Sequence, residues 1–143
     1  MRSHRRGVLK KTIHAAVAVI ERDGQLLICQ RHHHDSFGGL WEFPGGKRET
    51  GETWEACVAR EVLEEVGVRI SRPRPCGWMR HAFRDGVVIF KIFRCTIAEG
   101  DPSPREARQL RWVQPQELPQ YQFPPANRGL IARLCGARQR RMV

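Results

Sequence analysis

Three glutamates, Glu61, Glu64 and Glu65, are the residues of this chain best spaced to act together. They stand at i, i+3 and i+4, so on a helix their carboxylates gather on one arc of the surface. The surrounding stretch favours that helix. Between Thr53 and Val66 there is neither Pro nor Gly, Thr50 or Thr53 can cap the start, and Gly67 can end the last turn. Val58, Val62 and Val66 form a separate apolar stripe, joined at its edge by Ala59 and Leu63, which suits burial against a sheet. Like charges at these spacings weaken a helix by about 0.2–0.5 kcal/mol per pair unless something neutralises them. An acidic run is commonly no more than a solvated face, so the flanking residues have to decide.

The flanking residues extend the glutamates into a longer pattern. Gly46 is followed after five residues by Glu52, and seven residues later come Arg60-Glu61, Val62, one residue, Glu64-Glu65, one residue and Gly67-Val68. Every fixed position of the Nudix box is filled, and on these residues the chain resembles the Nudix hydrolases. The resemblance implies an α/β/α sandwich with a mixed central β-sheet and a nucleoside triphosphate substrate. It also implies that Glu61, Glu64 and Glu65, with the Gly45 carbonyl, hold Mg²⁺ or Mn²⁺, hard cations that prefer oxygen ligands. A polyphosphate could not approach a carboxylate cluster without such cations, which also acidify bound water. Attack at the β-phosphorus would release a monophosphate and pyrophosphate, with Glu106 or a box glutamate taking the proton. Arg60 and Glu52 are assigned to orientation, the arginine offsetting the carboxylates and holding the loop against the helix.

Two further segments, WEFPGGK (residues 41–47) and FPPANRGLIARL (residues 123–134), are similar to the MutT-type subgroup of 8-oxo-dGTP pyrophosphatases. By that resemblance Arg31 meets the substrate phosphates, Phe43 lines the base pocket and Asn127 pairs with the oxidised guanine. Glu106, six residues before Trp112, helps to bind metal or activate water. A carboxamide offers a base edge both a donor and an acceptor. Taken alone, Asn127 reads as a local cap, Glu106 as an exposed loop acid, and Arg31 as a strand-end cation. Trp41 and Phe43 read as core, with Glu42 facing the other way in an extended segment. One position departs from the subgroup: an arginine near the turn between the central strands falls in register at Gly86, with Arg84 close but unmatched. The alternatives are therefore a CTP, dCTP or broad-range pyrophosphatase, and, outside enzymes, a nucleotide-sensing or RNA-associated domain.

The elements that must position these residues follow from local pattern. Residues 12–21 and 25–31 read as strands joined by the Asp23-Gly24 turn. His32-His33-His34 is a polar loop, since neighbouring histidines in a regular element cannot converge on one ion. Residues 70–75 read as a Pro-rich connection, and 76–83, 87–97 and 110–113 as strands. One helical turn is expected over 114–118 and a C-terminal helix from Pro125 to about Gly136.

A chain of 143 residues is long enough for one domain with a sizeable core. No apolar run approaches the roughly 20 residues of a membrane span. Five scattered cysteines without CxxC spacing point to reduced thiols in a cytoplasm and away from zinc. The net charge of +10 lies at the ends: residues 1–11 and 128–143 are basic without an acid, and between them Lys and Arg equal Asp and Glu in number. The expected organisation is a basic tail over 1–11, the domain over 12–136 and a basic tail over 137–143. Such tails allow weak contact with nucleic acid, and no stable complex is expected. Monomer and dimer are both left open.

Overall fold

Alternation along one strand organises the molecule. In β1 (Lys11–Arg22), Ala16, Ala18 and Ile20 point to one face of the sheet and Val17 and Val19 to the other, and all are buried. Small and β-branched residues buried on both faces mark a central strand covered from two sides. The first face packs under helix α1 (Trp54–Val66) through Val58, Val62 and Val66. The second packs under helix α2 (Arg128–Met142) through Leu130 and Leu134. This computed structural model describes residues 10–142.

The remaining strands are β2 (Gln25–Gln30), β3 (Trp41–Glu42), β4 (Gly45–Lys47), β5 (Arg69–Phe83), β6 (Gly86–Glu99) and β7 (Gln109–Val113). The main order is β3-β2-β1-β6-β5, with β4 paired to β1 and β7 to β2. β1 and β6 run parallel, from Lys11 opposite Gly86 to Ile20 opposite Cys95, whereas the other pairs are antiparallel. β1 meets β2 only at its last residues, Glu21 and Arg22. Beyond that point β4 takes the place beside β1, so the sheet forks and the glycine segment lies in the cleft. The hairpin turn has Asp23 at φ 53° and Gly24 at φ 77°, the consecutive left-handed residues of a type I′ turn. The mixed sheet between helices is the α/β/α arrangement expected from the sequence.

Two expectations fail locally. The Pro-rich segment 70–75 is not a connection but the first half of β5. Register shifts between Ser71 and Arg74 and between Pro75 and Gly77 take Pro73 and Cys76 out of the ladder, and Arg72 is left-handed at φ 51°. β5 is an edge strand, where bulges and prolines are tolerated. The C-terminal helix starts at Arg128, after a 3-10 turn over Pro125–Asn127, and continues past Gly136 to Met142. A second 3-10 turn covers Pro115–Gln120. Lys11, expected in a tail, opens β1; residues 1–9 and 143 lie outside the described residues. Among the described residues no helix is long and apolar enough to cross a membrane. The five cysteines are unpaired.

Phe93 of β6 is fully buried under α1. Its replacement by Ala should cost about 3–5 kcal/mol, read as a lower denaturant midpoint in equilibrium unfolding.

Candidate active site

The glutamate helix starts and stops where its caps place it. Thr53 Oγ1 accepts the Ala56 N–H at 3.0 Å, and Gly67, left-handed at φ 76°, donates its N–H to the Leu63 carbonyl. With the valine stripe on the sheet, Arg60, Glu61, Glu64 and Glu65 face the loop that leads in from β4. Arg60 is the hub. Its Nε and Nη2 reach the two Glu52 oxygens at 2.6 and 3.0 Å, a bidentate fork. Its Nη1 reaches Glu61 at 2.9 Å and Glu64 at 3.3 Å, and Nη2 also donates to the Lys47 carbonyl at 3.0 Å. The guanidinium and the Glu49 N–H hold the Glu52 carboxyl down at about 2, well below its ordinary 4.5. The same carboxylates keep Arg60 firmly charged.

β4 presses on this helix. A Cβ on Gly46 would run into the Glu61 carboxylate, and one on Gly45 into the Ala16 carbonyl. The Gly45 N–H donates to Glu65 Oε1 at 3.1 Å. Glu65 faces a cavity of about 180 Å³ together with Glu42, Glu106, Arg31 and Cys29. Burial, ahead of the neighbouring Glu42 and Glu61 charges, raises Glu65 to about 9, against the lowering pull of the Gly45 N–H. Glu42 is also raised, by burial, with Arg31 opposing. Arg31 Nη1 contacts Glu42 at 3.1 Å, and its Nε donates to the Ser36 carbonyl at 2.6 Å.

The expected site residues therefore fall into two groups. Glu52, Glu61 and Glu64 converge on Arg60, while Glu65 and Glu106 meet in the cavity with Glu42. Glu61 touches both groups, pairing with Arg60 and lying close enough to Glu65 to help raise it, and among the described residues no three of these carboxylates close on a single point. The donor set nevertheless fits a hard divalent cation: it is all oxygen, partly buried and mutually repulsive, and a cation would offset the burial and the neighbouring charges that raise Glu65.

On the other face of the sheet lies a cavity of about 320 Å³ lined by Phe43, Asn127, Met79, His81 and Phe90, reaching Gly45–Lys47 at the box. Phe43 packs on Phe123 with ring centroids 5.3 Å apart. Asn127, the buried polar residue of the described core at 7% exposure, has its Nδ2 only 3.4 Å from the Pro124 carbonyl, a long bond. Arg31 touches both cavities. The sequence reading missed Glu42, Met79 and His81. Strand alternation set Glu42 apart from the core residues beside it, but gave it no partner. Nothing local distinguished Met79 or His81.

A glutamate helix clamped to a glycine strand, beside a mixed sheet open at a base-sized cavity, is the arrangement of a nucleotide-handling domain. The NUDIX domain model matches residues 15–133. An 8-oxo-dGTP diphosphatase of Haemophilus influenzae is 34% identical over 87% of this chain and 93% of its own length. A CTP pyrophosphohydrolase of Escherichia coli is 30% identical over 92% and 97%. A MutT structure from work on Aliivibrio salmonicida and Vibrio cholerae superposes with TM-score 0.76 and 31% identity, covering 89% of this chain and 99% of that one. The chain belongs to the Nudix family.

Two tests follow from the clamp. Glu52 has its folded pKa depressed, so its pairing stabilises the chain above about 4.5, and that stabilisation is lost as pH falls through about 2. Denaturation midpoints measured across this window should fall with acid in the parent and fall less steeply in Glu52→Gln. Gly46→Ala should displace Glu61 and lower the rate of triphosphate hydrolysis by about 10- to 100-fold with the fold retained by circular dichroism. An unchanged rate would show that the close approach to Glu61 has no bearing on turnover.

Proposed function

We propose that this Nudix hydrolase is a Mg²⁺-dependent nucleoside triphosphate pyrophosphohydrolase that prefers an oxidised guanine nucleotide, converting 8-oxo-dGTP to 8-oxo-dGMP and pyrophosphate. The observation that carries the base preference is the burial of Asn127 in an apolar, aromatic-walled cavity that runs to the box glycines. A weakly engaged carboxamide keeps a donor and an acceptor for a base edge, and Phe43 and Phe90 give the cavity aromatic walls against the ring. The name of the Haemophilus relative supports the same substrate.

The phosphates then extend past Gly45 and Gly46 to the carboxylate helix. Glu61, Glu64 and Glu65 would hold the metal. Bound Mg²⁺ supplies neutralisation of phosphate oxygens and acidification of water at the β-phosphorus. Arg60 and Glu52 fix the helix against the loop so that these carboxylates keep their places. Arg31, at the junction of the two cavities, exchanges Glu42 for a phosphate oxygen. Glu106 or Glu65, both on the small cavity, takes the proton from the attacking water. In the cytoplasm this reaction would remove oxidised nucleotides before polymerases use them and so limit replication errors.

The Escherichia coli relative named a CTP pyrophosphohydrolase supports a second reading, a cytosine nucleotide in the same cavity. A panel of canonical and oxidised triphosphates with Mg²⁺ separates the two: 8-oxo-dGTP should give the highest kcat/KM. CTP or dCTP at the top carries the second reading, and no turnover of any triphosphate sinks both. Asn127→Ala should cut the preference for 8-oxo-dGTP over dGTP by about tenfold, whereas equal losses on both would remove Asn127 from base recognition.

A further inference from the structure

Helix α1 covers only part of its face of the sheet. Over that covered part Ala16, Ala18, Ile20, Phe93 and Cys95 are buried, but towards the start of β1 the same face is open. Strand register sets the open part out in rows: Lys91 lies opposite Trp78, Ile89 opposite Arg80, and His14 beside Ile89. Trp78 is 57% exposed, more than any other large apolar side chain among the described residues. It meets Trp54, the first residue of α1, edge to face at 5.7 Å, and Trp54 meets His14 in the same way at 5.5 Å. Lys91 Nζ lies 5.4 Å from the Trp78 ring centre and 5.8 Å from that of Trp54, and the Arg48 guanidinium is 4.8 Å from Trp54. Among the described residues Arg48, Arg80 and Lys91 make no salt bridge.

Aromatic rings interleaved with unpaired cations on an open sheet face suit one kind of ligand. A protein partner would need acids for the cations and apolar groups for the rings in matching register, whereas a single nucleic-acid strand brings both at every step. Its bases stack on aromatic faces without regard to sequence, and its phosphates meet the cations. We propose that this face, centred on Trp78 with Trp54, Lys91 and Arg80, binds single-stranded nucleic acid. The site is separate from the base cavity, which lies on the opposite side of the same strands: Met79 and His81 of β5 line the cavity, whereas Trp78 and Arg80 alternate away from it. Nucleic-acid contact is thereby moved from the chain ends, where charge alone had put it, to the body of the domain.

The test is fluorescence anisotropy of a labelled twelve-nucleotide thymidine strand with the full chain in Mg²⁺-free buffer at several salt concentrations. Because parent and variants share the same ends, any difference between them belongs to this face. Trp78→Ala should weaken binding by about fivefold or more with little change in salt slope, and Trp78→Phe should recover most of the loss. Arg80→Ala should lower the salt slope by about 0.7. Thermal melts check that each variant is folded. Equal affinity of parent and Trp78→Ala overturns the proposal, as does equal, Trp78-independent binding of a duplex of the same length. A Trp78-dependent dimer in sedimentation, without binding of the strand, overturns it in favour of a second copy of the chain.

Discussion

The geometry of the glutamate helix depends on one guanidinium. Glu61, Glu64 and Glu65 crowd one arc of α1, and Glu52 comes in from the loop; left to themselves these charges would loosen both elements. Arg60 answers with a planar fork whose donors point in fixed directions, so it holds Glu52 through two bonds and still reaches Glu61, Glu64 and the Lys47 carbonyl. A lysine ammonium could neutralise the same charges but could not impose the same angles. The clamp thus joins the loop to the helix and fixes how far the carboxylates can travel.

What Arg60 does not reach is equally informative. Glu65 lies on the buried side of the helix, tied to the Gly45 N–H and beside Glu42, and it is the carboxyl pushed furthest up. The carboxyl left without an arginine therefore borders the small cavity, where a divalent cation would favour its ionised form. The larger cavity lies on the other side of the sheet. β1 is the divider: its even-numbered residues meet the helix that carries the carboxylates, and its odd-numbered residues floor the cavity that holds Asn127 and Phe43.

The parts of this arrangement that could be read from the sequence are those set by local spacing. Helix caps at Thr53 and Gly67, the valine stripe and the glutamate arc are all properties of one element. Arg31, Phe43, Asn127 and Glu106 could be named only through resemblance, since each reaches its cavity by a route the local pattern does not encode. Glu42 was visible as a residue facing away from the core, but its closeness to Glu65 arises only when β3 pairs with β2 and brings it to the cavity that Glu65 lines. The prolines of β5 suggested a connection because bulges are defined by the partner strand, here β6. Gly136 suggested a helix end, yet its Cβ position is open and the helix passes through it. The ring cluster of His14, Trp54 and Trp78 is drawn from three elements, so no window of sequence contains it.

The glycines of β4 show why such long-range fits still leave a local mark. Neither serves a turn: each is glycine because another group occupies the space of its side chain, the Ala16 carbonyl at Gly45 and the Glu61 carboxylate at Gly46. A Cβ at the first position would push β4 off β1, and at the second would push the helix off β4. Either shift would open the Gly45–Glu65 bond and part the carboxylates from the cavity mouth. The pair therefore sets the distance between the strand that floors the larger cavity and the helix that carries the carboxylates.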